Sequence, residues 1–114
     1  MDNLRAPKAP THWDQRFLVI ASHFAGWSKD PSTKVGAVAV RSRRILAQGY
    51  NGLPAGVSDS ESRLMDRTTR LAMTVHAETN CICHAAQNGV SLIGATMYVW
   101  PLMTCSNCAS MLIQ

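Results

Sequence analysis

Hydrophobic and polar positions along the 114-residue chain follow two different periods, and these periods predict its secondary structure. Between Thr11 and Ser28, apolar residues recur every three or four positions, as in a helix with one buried face. That face comprises Trp13, Phe17, Ile20, Ala21, Phe24 and either Trp27 or Ser28. Thr11 and Asp14 have the spacing of a capping box, which predicts where this helix begins. It should end near Ser28, because the Asp30-Pro31 pair disfavours its continuation.

The rest of the chain divides into further elements. The runs VGAVAV (35–40) and ILAQGYN (45–51) flank a basic turn and predict a hairpin, followed by a Gly/Pro/Ser-rich loop over 52–64. A second helix is predicted over 76–88 with Gly89 after its end, then a strand over 95–100 and a last helix from Thr104. The order α-β-β-α-β-α predicts a three-layer α/β/α domain with a mixed sheet.

The chain length fits one domain over residues 1–114. Its last residues, MLIQ, are apolar and lie within the predicted last helix. This favours a chain that is truncated at its C-terminus, with strands of the fold missing. A natural helical C-terminus is the alternative.

Composition excludes some classes of protein. With 46% hydrophobic and 16% charged residues, the chain is globular rather than disordered. A net charge of +4 weakly favours anionic ligands, but it is too diffuse to predict a nucleic-acid surface. No apolar run has the length of a membrane span, and the N-terminus lacks the apolar core of a signal peptide. We therefore expect a cytoplasmic protein whose four cysteines are thiols, metal ligands or core residues.

Two short motifs carry candidate chemistry. Cys105 and Cys108 form a CxxC pair, which suits a redox pair, half of a zinc site or two buried thiols. His76 and Glu78 lie at the predicted start of the second helix. Within a helix, residues two apart point in nearly opposite directions, but at its N-terminus both can reach one pocket. The CxxC follows His76 by 29 residues, and the strand over 95–100 joins the two motifs.

Together the motifs predict a catalytic zinc site. The ligands His76, Cys105 and Cys108 would leave the fourth tetrahedral position open, as in catalytic rather than structural sites. Glu78 would then accept a proton from zinc-bound water. Cys81 and Cys83 are predicted to be buried packing thiols, and His84 a partly exposed or hydrogen-bonded side chain.

With these two motifs, the sequence resembles the zinc-dependent cytidine and deoxycytidylate (dCMP) deaminases, whose signature is H-x-E followed by P-C-x-x-C. The segments DPSTKVGAVAV, GYNGLPAGV, HAETN and GATMYVW are similar to successive blocks of the dCMP deaminase branch. Thr104 stands where the family has proline, but it is a good N-cap residue.

The resemblance implies roles for individual residues. Glu78 would shuttle protons while a zinc-bound hydroxide attacks C4 of cytosine, and ammonia and a uracil nucleotide would leave. Asn51 and Ala77 would contact the substrate, with Ser32 and Lys34 at its phosphate. The alternative for Lys34 is a strand-edge charge that blocks aggregation. Residues 49–52 (Gly49, Tyr50, Asn51 and Gly52) also resemble the family's allosteric nucleotide-binding element.

The resemblance also implies partners. The substrate would be a cytosine nucleotide, dCMP first, with dCTP or dTTP and Mg²⁺ as candidate effectors and a homo-oligomer (hexamer or dimer) as the assembly. Two alternatives stay open on the sequence. One is another deaminase of the superfamily, acting on cytidine, a modified base or tRNA. The other is a zinc-stabilised module without turnover.

Overall fold

The computed structural model describes residues 11–53 and 75–101, which form two helices and three strands. In chain order these are α1 (His12–Ala25), β1 (Gly36–Arg41), β2 (Arg44–Tyr50), α2 (Ala77–Gln87) and β3 (Thr96–Trp100). All five were predicted, in this order. Most of the predicted loop over 52–64 and the whole of the predicted last helix lie outside the described residues.

Helix α1 begins as its sequence predicts. Thr11 is the N-cap, its hydroxyl accepts from the Asp14 backbone N–H, and Asp14 accepts from the Thr11 backbone N–H at 2.8 Å. Asp14 also accepts a hydrogen bond of 2.6 Å from the Tyr98 hydroxyl of β3. That bond, followed by the one from Thr11, lowers the pKa of Asp14. The cap therefore fixes both the start of the helix and its position on the sheet.

The three strands pair in the order β2-β1-β3, and both pairings are antiparallel. The predicted hairpin joins β1 and β2 through Ser42 and Arg43, which both have positive φ, as in the turns that match strand twist. Leu46 is an extra residue in β2, because Ala39 pairs with Ala47 and Val40 pairs with Ile45. No parallel pair, which a mixed sheet requires, occurs among residues 11–53 and 75–101.

This strand order brings two chain segments to one edge of the sheet. Gly36, where β1 begins, pairs with Tyr50 on one side and with Trp100 on the other. Strands β2 and β3 therefore run in the same direction, and their last residues lie level with each other on either side of β1. Asn51, directly after β2, and Pro101, directly after β3, therefore lie at the same end of the sheet.

Helices cover both faces of the sheet, which gives the predicted three layers. Helix α2 packs on one face over small side chains: Ala37, Ala39, Ala47, Ala77, Cys81 and Ala85 are buried together. Helix α1 packs on the other face, where Phe17, Ala21, Val38 and Val40 are buried with Trp13, Ile20, Phe24 and Tyr98 around them. Alternate residues of β1 serve the two faces, as a strand between two layers requires.

A glycine permits close helix approach on each face. A Cβ at Gly49 would lie 2.5 Å from both the Ala77 carbonyl oxygen and the Cys81 backbone nitrogen of α2. A Cβ at Gly36 would collide with the Ala21 carbonyl oxygen of α1. Both helices therefore rest directly on strand backbone at these points.

Two predictions about burial were wrong. The Trp27 side chain is 63% exposed, because α1 ends at Ala25 and Trp27 lies beyond it; the alternative core residue, Ser28, is the buried one. Cys83 is exposed, since it lies on the side of α2 away from the sheet, whereas Cys81 is buried as predicted. Neither helix of the described part combines the length and apolarity needed to cross a bilayer.

Candidate active site

Backbone hydrogen bonds link the residues after β2 to the residues before α2. Gly52 and Val75 form an isolated antiparallel bridge, with N–H to O distances of 3.1 and 2.7 Å. One turn into the helix, the Asn80 side chain donates a hydrogen bond of 2.8 Å to the Tyr50 carbonyl. These bonds lie on both sides of His76, so the helix start is held against the strand end.

His76 and Glu78 occupy the positions that the N-terminal argument requires. His76 is the N-cap of α2, has extended backbone geometry (φ −70°, ψ 156°), and makes no capping bond with its side chain. Glu78 lies in the first turn and is only 4% exposed. An exposed imidazole and a buried carboxyl group thus start the same helix.

The other titratable groups of α2 do not extend this pair into a metal site. Burial, with a further contribution from the nearby Glu78 carboxylate, raises the pKa of the Cys81 thiol to about 12, which makes it a poor metal ligand. His84 is half-buried, as predicted, and its Nδ1 atom is buried without a hydrogen-bond partner. Within residues 11–53 and 75–101, no three His, Cys, Asp or Glu side chains could hold a metal ion.

Asn51 lies directly after β2 and binds backbone on both sides of Lys34. Its Oδ1 accepts from the Val35 N–H at 2.9 Å, and its Nδ2 donates to the Thr33 carbonyl at 2.8 Å. The side-chain amide retains one N–H and one acceptor lone pair beyond these bonds. Asn51 therefore fixes the segment that enters β1, a use that the sequence did not predict.

Two further residues order this segment, and sequence reasoning did not single them out. The Asp30 carboxylate accepts from the backbone N–H groups of Ser32 and Thr33 at 2.8 and 3.1 Å. The Ser28 hydroxyl donates to the Asn51 carbonyl at 2.8 Å and accepts from the Asp30 N–H at 3.2 Å. The sequence did contain a signal for this turn, the Asp-Pro-Ser-Thr run, because Asp at the first position of such a run is typical of a side-chain-stabilised turn.

The predicted phosphate contacts are accessible. Ser32 and Lys34 are both exposed and lie in the segment that Asp30 and Asn51 hold. Ala77 is fully buried, so its methyl group faces the protein, and any contact with a substrate would use its backbone. Tyr50 and Gly52 flank Asn51 at the same sheet edge, while Gly49 is covered by α2.

The predicted ligands Cys105 and Cys108 lie outside the described residues. The described chain ends at Pro101, directly after β3. Because β3 ends at the same end of the sheet as β2, Pro101 lies at the end that carries Asn51 and His76. The structure thus places Asn51 and the helix start with His76 and Glu78 at the end of the sheet where Pro101 also lies.

Comparisons with known proteins agree with this arrangement. The family described as "Cytidine and deoxycytidylate deaminase zinc-binding region" matches residues 11–114. An uncharacterized deaminase of Aliivibrio fischeri is 42% identical over 90% of this chain and 66% of its own length. The human deoxycytidylate deaminase is 37% identical over 90% of this chain and 59% of its own length.

A solved structure supports the same fold. The dCMP deaminase from the cyanophage S-TIM5, in complex with dCMP and dUMP, superposes with a TM-score of 0.76 at 25% identity, covering 92% of this chain and 76% of that protein. The present chain spans 59 to 66% of the length of the human and Aliivibrio relatives. The match over residues 11–114 includes the helix start with His76 and Glu78 and the CxxC segment. The chain therefore belongs to the cytidine and deoxycytidylate deaminase family.

Proposed function

We propose that this chain is a zinc-dependent deaminase of a cytosine nucleotide, converting dCMP and water to dUMP and ammonia. The observation that carries the proposal is the placement of His76 at the N-cap of α2 with the buried Glu78 two residues on. Relatives named deoxycytidylate deaminase, and a neighbour solved with dCMP and dUMP, support the choice of substrate.

His76, Cys105 and Cys108 would hold the metal. His76 fits this role because its side chain is exposed at the helix start and is not used for capping. Cys105 is four residues after Pro101, and four residues of extended chain reach at most about 14 Å. One imidazole and two thiolates are typical zinc ligands, and zinc in such a site lowers the pKa of its water.

Glu78 would carry the protons of the reaction. Its carboxylate accepts one proton from water and delivers it to N3 of cytosine, which makes C4 more electrophilic. The water oxygen bonds to C4 as its first proton is removed. Glu78 then takes the remaining proton of the new C4 hydroxyl and passes it to the amino group, the C4–N bond breaks, and ammonia and the uracil nucleotide leave. Burial keeps the carboxyl group away from bulk solvent, and its place in the first turn of α2 sets it two residues from the proposed ligand His76. Such a group contributes about 10²- to 10⁴-fold to rate.

The substrate would lie across the edge formed by β2, α2 and the segment before β1. Its base would face His76 and Glu78, and its phosphate would face Ser32 and the Lys34 ammonium, which are exposed. Asn51 would contact the sugar with the amide valences that it does not use on the backbone. The backbone of Ala77 completes the proposed substrate contacts.

Regulation and assembly are part of the same proposal. In the alternative in which Asn51 serves an effector rather than the substrate, residues 49–52 would bind dCTP or dTTP with Mg²⁺. The protein would act in the cytoplasm as a homo-oligomer, a hexamer or a dimer. Tyr50 supports the nucleotide contact, because it is exposed at the strand end and its ring meets that of Trp27 at 6.1 Å. An effector that acts here would alter sedimentation or the dependence of rate on dCMP concentration.

The test is ammonia release from dCMP, CMP, cytidine and deoxycytidine, with zinc content measured on the same sample. We expect about one zinc ion per chain, the highest kcat/KM with dCMP, and a loss of about 10²-fold or more in kcat for Glu78→Gln. Cys105→Ala should lose zinc, whereas Cys83→Ala, which removes an exposed thiol, should not.

The outcomes separate the alternatives. Zinc binding without turnover of any cytosine compound would favour a non-catalytic module. Turnover of cytidine in preference to dCMP would favour another branch of the superfamily. Unchanged zinc content in Cys105→Ala would overturn the ligand assignment.

A further inference from the structure

Three buried polar side chains, Ser28, Asp30 and Asn51, hold the segment 31–35 against the end of β2. We propose that this hydrogen-bonded group, here called the loop lock, positions Ser32 and Lys34 and so makes the site selective for a nucleoside 5′-monophosphate over a nucleoside. The inference rests on the proposed function, and it assigns Ser28 and Asp30 as positioning residues.

The three side chains of the loop lock are more deeply buried than those of a typical surface turn. Ser28, Asn51 and Asp30 are only 2%, 7% and 9% exposed, respectively. Polar groups are buried at this level only when hydrogen bonds replace their lost water. Asp30 carries a charge as well, which makes its burial beside an exposed loop costly unless the bonds it accepts are kept.

Each member of the loop lock has a separate task. Asp30 accepts from the Ser32 and Thr33 N–H groups at 2.8 and 3.1 Å and thus fixes the backbone that carries the Ser32 hydroxyl. Asn51 binds the Thr33 carbonyl and the Val35 N–H, the backbone groups on either side of Lys34. Both candidate phosphate contacts are therefore exposed side chains on an immobilised backbone.

Ser28 joins these two halves. Its hydroxyl donates to the Asn51 carbonyl and accepts from the Asp30 N–H, at 2.8 and 3.2 Å. The Asn51 N–H in turn donates to the Val35 carbonyl at 3.2 Å. The hydroxyl uses both its donor and an acceptor, so an alanine here would leave two buried backbone groups without their partner.

The loop lock also connects the loop to the catalytic helix. Asn51 precedes Gly52, which bridges to Val75, and Val75 precedes the N-cap residue His76. The distance between the loop and the helix start is therefore set through a short chain of backbone bonds. In a nucleotide, the distance between the phosphate and the reacting carbon of the base is set covalently. A misplacement of about 1 Å can cost about 10²-fold in rate, so a fixed spacing provides selectivity.

The decisive variant is Asp30→Ala, assayed with dCMP and with deoxycytidine. We expect kcat/KM for dCMP to fall by about 10- to 100-fold, because a misplaced phosphate no longer orients the base. The kcat/KM for deoxycytidine, which has no phosphate to misplace, should stay within about threefold of wild type. Ser28→Ala should show the same split, because it removes the hydroxyl that couples Asp30 to Asn51.

Two matched variants control for simple damage to the fold. Asp30→Asn keeps the Oδ1 acceptor that binds Ser32 and Thr33, and it should restore most of the affinity for dCMP. Ser22→Ala removes another serine hydroxyl that donates to a backbone carbonyl, that of Val19 at 2.6 Å, but outside the loop lock. It should leave the ratio between the two substrates unchanged.

The same comparison is made by equilibrium dialysis with dUMP and deoxyuridine, so that it does not require turnover. In wild type we expect dUMP to bind more tightly than deoxyuridine, and Asp30→Ala to remove most of that difference. An equal loss for both ligands, or an unchanged preference for the monophosphate, would overturn the positioning role. A wild type that binds dUMP with this preference but releases no ammonia would instead count against the proposed function.

Discussion

The fully buried side chains on the two faces of the sheet differ in size, although Leu92 and Met97 are among the partly buried residues that pack on the α2 face. On the α2 face the buried residues are alanines and one cysteine, and Gly49 lets the helix backbone rest on β2. On the α1 face Phe17 and the valines of β1 are buried beneath aromatic neighbours. The catalytic candidates His76 and Glu78 belong to the face with small side chains.

This difference indicates what each face contributes. Small side chains bury less apolar area but bring backbones close together, so that the start of α2 is fixed relative to the end of β2. Large aromatic side chains bury more area and contribute more of the free energy of folding. We infer that the α1 face mainly stabilises the domain, while the α2 face mainly positions the site.

The largest loss of stability should come from Phe17→Ala, which removes a buried ring from the α1 face. Phe17 is buried, and its ring lies 5.5 Å from that of Tyr98 and 6.4 Å from that of Trp13. Its truncation should lower the free energy of unfolding by about 3–5 kcal/mol, measured by urea denaturation. Phe17→Leu should cost less and leave the KM of the folded enzyme unchanged. The exposed Val19→Ala is the control, and a comparable cost there would contradict the comparison.

A smaller loss of stability, with a larger loss of activity, should follow from Gly49→Ala on the α2 face. The added Cβ would lie 2.5 Å from two backbone atoms of α2, neither of which can rotate away. Displacement of the helix should cost about 1–3 kcal/mol and move His76 relative to Asn51, lowering kcat/KM.

Gly52→Ala provides the matched control for stability, because a Cβ there would have no heavy atom of residues 11–53 and 75–101 within 4 Å. It should leave the urea midpoint nearly unchanged. If Gly49→Ala lowered stability without changing kcat/KM, the positioning role of the α2 face would be wrong.

Each face also contains one group that should make the protein sensitive to alkaline pH. Burial raises the pKa of Cys81 on the α2 face to about 12, and burial together with the bond to Asp14 raises that of Tyr98 on the α1 face to about 12. Both groups are neutral when protonated, so the folded state holds its proton more tightly than the unfolded chain. Stability should fall as pH rises from about 9 for Cys81 and from about 10 for Tyr98.

The slope should be at most about 1.4 kcal/mol per pH unit for each group. In urea unfolding across this range, the free energy of unfolding of Cys81→Ala should fall less steeply than that of wild type above about pH 9. That of Tyr98→Phe should differ from wild type only above about pH 10. Parallel curves for the wild type and Cys81→Ala would show that the thiol does not contribute.

The smallest effect on stability, but the clearest contrast in chemistry, concerns the two cysteines of α2. Iodoacetamide near neutral pH should modify the exposed Cys83 and leave the buried Cys81 intact, as read by peptide mass spectrometry. Cys83→Ser should change the free energy of unfolding by less than about 0.5 kcal/mol. Equal modification of both residues in the folded protein would contradict the close packing of the α2 face.

Much of the fold was predictable, because local signals and periodicity agreed. The Thr11–Asp14 capping box, the hairpin around the basic turn and Gly89 after α2 all specify structure through neighbouring residues. Trp27 was misjudged because the helix ends at Ala25, so its periodicity no longer applies there. Cys83 was misjudged because a cysteine two residues from a buried one lies on a different side of a helix.

The site was predictable only in part. The spacing of His76 and Glu78 predicts a shared position at a helix start, and the structure has it. The bonds that Asn51 makes to Thr33 and Val35 depend on which strands pair, and the sequence does not state this. The hydrogen bonds of Ser28 and the burial of Asp30 were missed as well, because an aspartate before proline is as typical of an exposed turn.

The position of β1 between its two partners has a consequence for the order in which the protein folds. The pairing of Gly36 with Tyr50 closes a short loop, whereas that of Gly36 with Trp100 requires most of the chain. During synthesis the hairpin can therefore form early, while the edge that carries the site is complete only after β3 has emerged from the ribosome. A pause in translation before Trp100 would leave a nascent chain with one side of β1 unpaired and open to association with other strands.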